Sequence, residues 1–510
     1  MADIITLDGA SLSLFDVERI ALGRALARLH PKARRRMSQA RRLIEEIASG
    51  SEQVYGVNTG FGRLKNVRIP APRLSELQVN LIRSHCAGVG DWLPREQIRS
   101  LMLLRANVLA RGYSGVRPKV VDLLLAMLNR GILPRVPSQG SVGASGDLAP
   151  LAHLALALIG EGEVEIQGRI VPAAVALKRK GLRPLALHAK EGLALINGTQ
   201  MMTALGTLAL LRSENLLRHA DLAGALSLEA LKGSRRAFDP RIERLRSHPG
   251  QAASAFNLRR LLGHSAIERS HAGCGKVQDC YSLRCMPQVH GASRDAVAHA
   301  RGVLEREINA VTDNPILFPK EKDLVSAGNF HGQPVALALD YLGIALSELA
   351  SISERRLERL TNPDLSELPA FLTPEPGLHS GFMMAQVTAA SLVSENKGLS
   401  HPASVDSIPT SAAQEDHVSM GAWAARKTIR ILENAETVLA IEILAACQAL
   451  EFHLPLRASP PLEAARKAVR RSIPRLESDR VMSADIRSMV ELLRSGKVLS
   501  ATARTAGPLR

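Results

Sequence analysis

The sequence predicts a mainly α-helical protein, with a core bundle of long helices beside a mixed N-terminal domain. Hydrophobic residues make up 46% of the 510 residues but aromatic residues only 3%, so leucine, alanine, valine and isoleucine supply most of the apolar surface. Such side chains favour helix packed on helix. Helical periodicity also continues through residues 199–232 without a proline, longer than an ordinary globular helix. Helices of this length are best buried side by side.

The N-terminal part combines helices with glycine-rich breaks. Residues 93–112 predict an amphipathic helix, because Pro94 stands at a first helical position and Gly112 just past the end. Glycine-rich loops are expected at residues 56–62 and 140–146, and loops of this kind often carry chemistry.

The periodic segments that follow predict a series of long helices and then shorter ones. The long helices are expected at residues 199–232, 293–311, 334–360, 381–397 and 417–450, and the shorter ones at 461–471 and 483–493. We therefore divide the chain into an N-terminal domain carrying the 140–146 loop, a central long-helix bundle and a C-terminal helical segment, at residues 1–200, 201–450 and 451–510. A bundle that is apolar outside also predicts subunits packing together.

The composition predicts a cytoplasmic protein. The first residues lack a basic segment followed by an apolar core and a cleavage site, and no uncharged apolar run is long enough to span a membrane. The five cysteines are few and odd in number for this length, which is typical of reduced thiols rather than a disulfide framework.

The net charge of +16 raises the possibility of a nucleic-acid partner. Basic residues are densest at residues 32–42 and 466–480. Both runs are spaced like the solvated faces of amphipathic helices, and neither contains stacking aromatic residues. The pattern favours a basic, soluble surface over nucleic-acid binding.

The segment at residues 140–150, GSVGASGDLAP, indicates chemistry carried out by the backbone itself. Glycine has no side chain to block a nucleophile or a tight bend. If the amide nitrogen of Gly146 attacks the carbonyl carbon of Ala144 and water leaves, a five-membered ring closes. Loss of another water from Ser145 then adds an exocyclic methylene. The product is an electrophile of a kind that enzymes normally borrow from a cofactor, although the segment taken alone also fits an ordinary Gly/Ser loop.

Motifs elsewhere in the chain decide between these interpretations. They are YGVNTGFG from Tyr55, SHCAGVG from Ser84, GSVGASGDLAPLAHLAL from Gly140, GLALINGTQ from Gly192, VQDCYSLRCMPQVHGA from Val277, GNFHGQPVALALD from Gly328 and HPASVDSIPTSAAQEDHVSMG from His401. In this order, and over most of the chain, they resemble the aromatic amino acid lyase family.

The resemblance implies that Ala144, Ser145 and Gly146 form a 4-methylidene-imidazol-5-one (MIO) group autocatalytically, with no metal or diffusible cofactor. It implies a helical architecture like that of fumarase and aspartase, and a homotetramer whose active sites take residues from more than one subunit. The implied activity is non-oxidative loss of ammonia from a small-molecule amino acid. Neither nucleic acid nor membrane is expected as a partner.

An ammonia-lyase must hold the substrate carboxylate, stabilise charge that develops near the amine and remove a weakly acidic β-proton. The planar guanidinium of Arg284 matches a carboxylate. Tyr55 lies in a glycine-punctuated loop, where a lowered phenol pKa would let it act as the general base. By resemblance, Asn197 and Tyr281 hydrogen-bond the imidazolone oxygen and ring.

Further residues complete the expected site. Gln278 and Gln288 are expected to help orient the substrate. Phe330 is expected in the pocket wall, although it also fits a core aromatic residue.

His85 and Glu415 are expected to select the substrate. Relatives that act on phenylalanine or tyrosine carry other residues in place of Ser84 and His85, and an amide in place of Glu415. A buried carboxylate suits an imidazole ring, because the ring can donate a hydrogen bond to it. Beside a benzene ring the carboxylate would lose its solvation without gaining a hydrogen bond. Histidine is therefore the favoured substrate, giving trans-urocanate and ammonia.

Four positions depart from the family pattern and leave alternatives open. They are Cys280, Met286, His290 and Ala413, where proline, glutamine, methionine and asparagine are usual. The first alternative is a lyase or aminomutase that uses the same electrophile on tyrosine or phenylalanine. A more remote one is a metal-binding protein with ligands among His264, His271, Cys274, Cys280, Cys285 and His290, although these lack the paired spacing of common zinc sites.

Overall fold

The computed structural model describes residues 3–510, and it confirms the mainly α-helical fold class. The helices before the first long one are α1 Leu14–Ala21, α2 Pro31–Ser49, α3 Leu74–His85, α4 Arg95–Ala110, α5 Pro118–Asn129, α6 Leu148–Leu158, α7 Ala173–Arg179 and α8 Glu191–Ile196. The remaining helices are α9 Gln200–Ala230, α10 Pro240–Leu245, α11 Pro249–Leu261, α12 Ala266–Ser270, α13 Tyr281–Arg284, α14 Met286–Glu307, α15 Gln333–Thr361, α16 Pro363–Ser366, α17 Met383–Leu399, α18 Gly421–Glu451, α19 Pro460–Arg470, α20 Met482–Arg494 and α21 Lys497–Ala506.

The strands are short and form small sheets between the helices. In chain order they are β1 Asp3–Leu7, β2 Ala25–Leu29, β3 Val89–Trp92, β4 Leu133–Pro134, β5 Pro137–Gln139, β6 Glu163–Ile166, β7 Arg169–Pro172, β8 Ile316–Phe318 and β9 Asp323–Val325. β1 pairs with β2 in parallel, whereas β3–β5, β4–β6–β7 and β8–β9 are antiparallel.

Helix α4 shows how local signals set an element. Pro94 is its N-cap residue, so the helix begins one residue later than predicted, and Gly112 follows its end with φ +81°. A Cβ on Gly112 would lie 2.9 Å from Cβ of Arg36, so the turn needs glycine both for its backbone angle and for space.

The long helices α9 and α18 confirm the predicted segments at 199–232 and 417–450. Both carry buried residues around their circumference, because alanine and leucine occupy positions on all faces. This is the expected property of a helix in the interior of a bundle.

Helix α14 begins at Met286, earlier than the predicted start at residue 293. Glycine weakens helices, so propensity alone disfavours a helix through Gly291. A Cβ on Gly291 would lie 2.4 Å from the backbone nitrogen of Gln251, so glycine lets α14 and α11 approach closely. Tertiary packing has overridden propensity at this position.

The chain forms two compact units, each assembled from separate stretches of sequence. The first contains residues 1–208, 301–340 and 402–426, and the second contains 209–300, 341–401 and 427–510. The predicted division into three consecutive segments groups the chain differently and stays a prediction. The C-terminal segment contains one helix that was not predicted, α21, which packs against α19.

Helix α15 is long and apolar enough, by length and composition alone, to cross a membrane. In its most apolar stretch 67% of the residues are buried inside the protein, as in the core helix of a soluble protein.

Candidate active site

A cavity of about 990 Å³ opens in the first unit beside the loop at residues 140–146. The predicted site residues that line it are Tyr55, His85, Ala144, Ser145, Asn197, Phe330 and Glu415. They come from separate parts of the sequence, and all belong to the first unit. The structure thus brings together the tripeptide and the residues expected to select the substrate.

The loop is held by hydrogen bonds on both sides of the tripeptide. The carbonyl of Gly143 accepts from the amide of Gly332 at 3.1 Å and from the Ser419 hydroxyl at 3.0 Å. On the other side, the Ser141 hydroxyl donates to the carbonyl of Gly146 at 3.0 Å. The two ends of the tripeptide are therefore fixed by residues from three different segments.

The backbone of the tripeptide fits the predicted ring closure. Gly146 has φ +74°, and a Cβ there would lie 2.1 Å from the carbonyl oxygen of Gly198, so only glycine fits. Within residues 3–510, the amide nitrogen of Gly146 and the carbonyl oxygen of Ala144 form no hydrogen bond. The carbonyl of Ser145 does accept one, from the amide of Gly198 at 3.3 Å. The two groups that would condense are thus free, while their neighbours are held.

Glu415 lies directly beside this loop. Its Oε1 accepts a hydrogen bond from the Ser145 hydroxyl at 2.9 Å, and its Oε2 accepts one from the Thr410 hydroxyl at 2.6 Å. Thr410 and Glu415 also exchange backbone hydrogen bonds. The carboxylate is therefore fixed at the cavity wall, next to the hydroxyl of Ser145, whose Cβ would become the electrophilic carbon.

His85 is held in one neutral tautomer at the end of α3. Its Nδ1 lies 2.8 Å from the carbonyl oxygen of Leu81, so Nδ1 carries the hydrogen and donates it. Nε2 is then the unprotonated nitrogen, able to accept a hydrogen bond. Burial lowers the pKa of His85, against the opposing effects of the Leu81 carbonyl and the Glu415 charge.

Tyr55 lies in the cavity wall, but the expected lowering of its pKa is wrong for the structure of the single chain. Burial raises the pKa of the phenol, and the negative charges of Glu415 and Asp313 raise it further. The backbone hydrogen bond with Gly62 opposes this effect. The position of Tyr55 in a glycine-rich loop of the sequence could not indicate that these two carboxylates lie nearby.

Asn197 is buried between the cavity and an ion pair. Its Nδ2 donates to the carbonyl of Asn314 at 3.1 Å and lies 3.4 Å from a carboxylate oxygen of Asp313. Asp313 in turn pairs with Lys190 at 2.9 Å, and neither of these two side chains has any exposed surface. A buried pair of this kind is sensitive to the loss of one partner, because the other charge is left without solvent.

Replacing Lys190 with methionine is therefore expected to reduce the free energy of unfolding by about 3 kcal/mol. Urea unfolding followed by circular dichroism measures this change. Lys178→Met, at an exposed position on α7, is the matched control and is expected to unfold close to wild type. Equal urea midpoints for the two variants would contradict the predicted role of the pair.

The other predicted site residues lie in the second unit. Gln278 and Arg284 line a cavity of about 670 Å³ there, and the guanidinium of Arg284 lies 4.7 Å from the ring centre of Tyr281. Nε of Arg284 and Oε1 of Gln288 are buried without a partner in the part of the chain that the structure describes. Within residues 3–510 the structure does not bring these four residues into the cavity of the first unit.

Sequence reasoning missed Asp147, although it directly follows the tripeptide in the ASGD motif. Its amide donates to the carbonyl of Gly198 at 2.7 Å, and its Oδ2 accepts from the amide of Met202 at 2.9 Å. Burial raises the pKa of Asp147 to about 7. Asp147 therefore supports the backbone behind the tripeptide with a carboxyl group that is easily protonated.

Two further histidines in the cavity wall were also missed. The rings of His331 and His417 stack with their centres 5.9 Å apart and their planes at 4°. Nε2 of His331 donates to the carbonyl of His417 at 3.1 Å, and Nδ1 accepts from the amide of Gln333. Their positions within the GNFHGQP and QEDHVSMG motifs were the available signal.

The histidines and cysteines of the metal-binding alternative do not form a cluster in the structure. Across residues 3–510, no group of three or more histidine, cysteine or acidic side chains is arranged to hold a metal ion. His290, one of the proposed ligands, is instead buried with its Nδ1 2.8 Å from Asp221.

Comparison with known proteins agrees with this geometry. The model of the aromatic amino acid lyase family matches residues 12–471. A histidine ammonia-lyase from Gloeobacter violaceus is 56% identical and covers 100% of this chain and 99% of its own length, and one from Sorangium cellulosum is 57% identical over 98% and 99%.

Solved structures give the same result. A histidine ammonia-lyase from Trypanosoma cruzi superposes with a TM-score of 0.92 at 46% identity, covering 98% of this chain and 95% of the other. A tyrosine aminomutase from Streptomyces globisporus gives 0.94 at 40% identity, covering 99% and 100%. The chain belongs to the aromatic amino acid lyase family.

Proposed function

We propose that the chain is a carbon–nitrogen lyase that removes ammonia from L-histidine without oxidation, giving trans-urocanate, as a cytoplasmic step of histidine degradation. The observation that carries the proposal is the contact between Ser145 and Glu415, because it places a carboxylate suited to an imidazole ring beside the ASG tripeptide. His85 lines the same cavity. The full-length relatives named histidine ammonia-lyase support the same substrate.

Ala144, Ser145 and Gly146 fit the MIO group, because among residues 3–510 nothing hydrogen-bonds the two backbone groups that would condense, and Gly146 has no room for a side chain. Formed from these residues, the group supplies an electrophilic carbon that draws electrons from the substrate amine. The proposal needs no metal or diffusible cofactor.

The other residues hold the substrate and move its proton. Glu415 accepts a hydrogen bond from the imidazole of histidine, and Nε2 of His85 is available as a second acceptor. Arg284 binds the carboxylate through its planar fork of N–H groups. Tyr55 takes the β-proton once its phenol is ionised, because a phenolate is basic enough to act on a weakly acidic carbon.

The remaining predicted residues orient this arrangement. Asn197 and Tyr281 donate hydrogen bonds where negative charge develops. Gln278 and Gln288 orient the substrate, and Phe330 forms part of the wall. Asp147 and the His331–His417 pair hold the loops around the site in place and do not react with the substrate.

The proposal includes a homotetramer whose active sites combine residues of more than one subunit. The segment that carries Tyr281 is unusually open in the single chain, with Val277 97% and Tyr281 70% exposed. The buried polar atoms of Arg284 and Gln288 without partners support a site completed by other groups. Exposed apolar residues on α15, at Leu337, Tyr341 and Ile344, fit a surface that another subunit covers.

The test is to incubate the purified protein separately with L-histidine, L-tyrosine and L-phenylalanine and to measure ammonia and the conjugated acrylate product. We expect turnover with histidine and urocanate as the product. Coumarate or cinnamate as the main product would replace the proposed substrate, and a β-amino acid would indicate an aminomutase. Absence of ammonia or product from all three would refute the proposed function.

Replacing Glu415 with glutamine is expected to lower kcat/KM for histidine about a hundredfold, because the carboxylate charge that matches the imidazole is lost from the cavity wall. Initial rates at several histidine concentrations measure the change. Asp416→Asn removes the neighbouring carboxylate in the same cavity and is the matched control, expected to stay close to wild type. Similar losses in both variants would mean that Glu415 has no special part in substrate selection.

A further inference from the structure

In the second unit, a series of buried ionisable side chains in contact with one another reaches the backbone of α13. Arg356 forms a two-point ion pair with Glu442, with Nε 2.5 Å from Oε1 and Nη2 2.9 Å from Oε2. Its remaining nitrogen, Nη1, lies 3.3 Å from Nε2 of His290 and 3.4 Å from the carbonyl oxygen of Ser282. The side chains of Arg356, Glu442 and His290 have no exposed surface.

Glu442 is fully occupied by its neighbours. Its Oε1 also accepts from the Ser227 hydroxyl at 2.7 Å, and its Oε2 accepts from the Ser353 hydroxyl at 2.6 Å. The carboxylate is therefore fixed, and it binds two of the three guanidinium nitrogens of Arg356, leaving Nη1 for other partners.

The hydrogen bonds of His290 determine its tautomer. Nδ1 lies 2.8 Å from Asp221, which also accepts from Arg294 at 2.6 Å. Burial alone would raise the pKa of Asp221, but Arg294 and His290 hold it at about 2, so Asp221 is ionised and Nδ1 must donate. Arg356 has only donors, so Nε2 of His290 must accept. Burial and the charge of Arg356 lower the pKa of His290, in agreement with a neutral ring.

Helix α13, which Arg356 contacts, depends on contacts with other parts of the protein for its stability. Helix α13 contains four residues, too few to be stable by its own hydrogen bonds. It carries Tyr281 and Arg284, which stack on one another. The carbonyl of Ser282, between them, is the backbone atom that Arg356 contacts.

We propose that His290 is a positioning residue for substrate binding. By accepting a hydrogen bond from Arg356, it holds the guanidinium that contacts Ser282, and through it the turn that carries Arg284. The inference rests on the proposed function, in which Arg284 binds the substrate carboxylate. The family resemblance leads us to expect methionine at position 290, whose sulfur is only a weak acceptor. The hydrogen bond from Arg356 to His290 therefore depends on a residue by which this protein departs from the family pattern.

Replacing His290 with glutamine or with asparagine tests its two hydrogen bonds one at a time. The amide of His290→Gln takes the place of Nε2 and keeps the contact with Arg356, whereas the amide of His290→Asn takes the place of Nδ1 and keeps only the contact with Asp221. His219→Asn is the matched control, because His219 is also fully buried in the second unit and bonds the carbonyl of Asn215 through Nδ1 at 3.0 Å.

Binding of L-histidine is measured by calorimetry in a Ser145→Ala background, where the substrate is not turned over, and KM and kcat are measured with Ser145 intact. His290→Asn is expected to raise Kd and KM about tenfold with a smaller change in kcat, because a misplaced Arg284 weakens binding of the carboxylate. His290→Gln and His219→Asn are expected to bind L-histidine close to wild type. Thermal melting by circular dichroism shows that each variant is folded.

Unchanged binding in folded His290→Asn would overturn the proposal. Equal weakening in His290→Gln or His219→Asn would also overturn it, because it would show a general loosening of the unit. If His290→Asn does not fold, His290→Met replaces it under the same criteria. If wild type fails to act on L-histidine, the proposed function fails instead, and the same comparison is made with the amino acid that is turned over.

Discussion

Replacing Ser145 with alanine is expected to reduce ammonia elimination about a thousandfold or more, because alanine has no hydroxyl group to lose as water and the electrophile cannot form. Absorbance of the conjugated product gives the rate. Intact-mass analysis provides an independent measurement: the wild-type chain should be lighter than its encoded sequence by two waters, and the variant should not show that loss.

Ser49→Ala, at an exposed position at the end of α2, is the control and should keep both the wild-type rate and the mass deficit. A peptide covering residues 140–150 with chemically unaltered serine in fully active protein would contradict the proposed electrophile. That outcome would leave the fold and the family assignment intact but would require a different source of electron withdrawal.

Replacing Tyr55 with phenylalanine is expected to lower kcat by about 10²–10⁴-fold with a much smaller change in KM, because the phenol oxygen that takes the β-proton is removed while the ring remains. Burial raises the pKa of Tyr55 above its usual value, so the phenol ionises at alkaline pH. The active base is the phenolate, whose fraction grows as pH rises towards the pKa. The wild-type rate should therefore increase from neutral to alkaline pH, and the variant should lose this increase.

Tyr113→Phe is the matched control for this prediction. Tyr113 packs edge to face against Phe318 with ring centres 6.1 Å apart and does not line the cavity. It should keep the wild-type rate and pH profile. A Tyr55→Phe variant with the same profile as wild type would assign the proton transfer to another group.

The long helices could be predicted because their signal is local and repeated. Periodicity placed α9 and α18 within a few residues of their observed bounds, and Pro94 and Gly112 marked the ends of α4. The start of α14 differed from the prediction, and there Gly291 packs closely against Gln251, a contact that periodicity along the sequence does not show.

The candidate site was predictable as a set of motifs but not as an arrangement. The GSVGASGDLAP segment indicated the tripeptide and its chemistry from residue types alone. It could not show that the Gly146 nitrogen forms no hydrogen bond with any residue that the structure describes, or that Glu415 meets Ser145 across a separation of 270 residues. The supporting roles of Asp147 and of the stacked histidines also follow only from their contacts in the tertiary structure.

By itself, the sequence determined the helical fold class, the reactive tripeptide and the residues that carry the family resemblance. Only the tertiary structure decided the electrostatics, such as the raised pKa of Tyr55, and the buried link from His290 through Arg356 to Ser282. The physical reason is the range of the interactions. Helix formation and ring closure depend on residues a few positions apart, whereas burial and charge depend on neighbours that are distant along the chain.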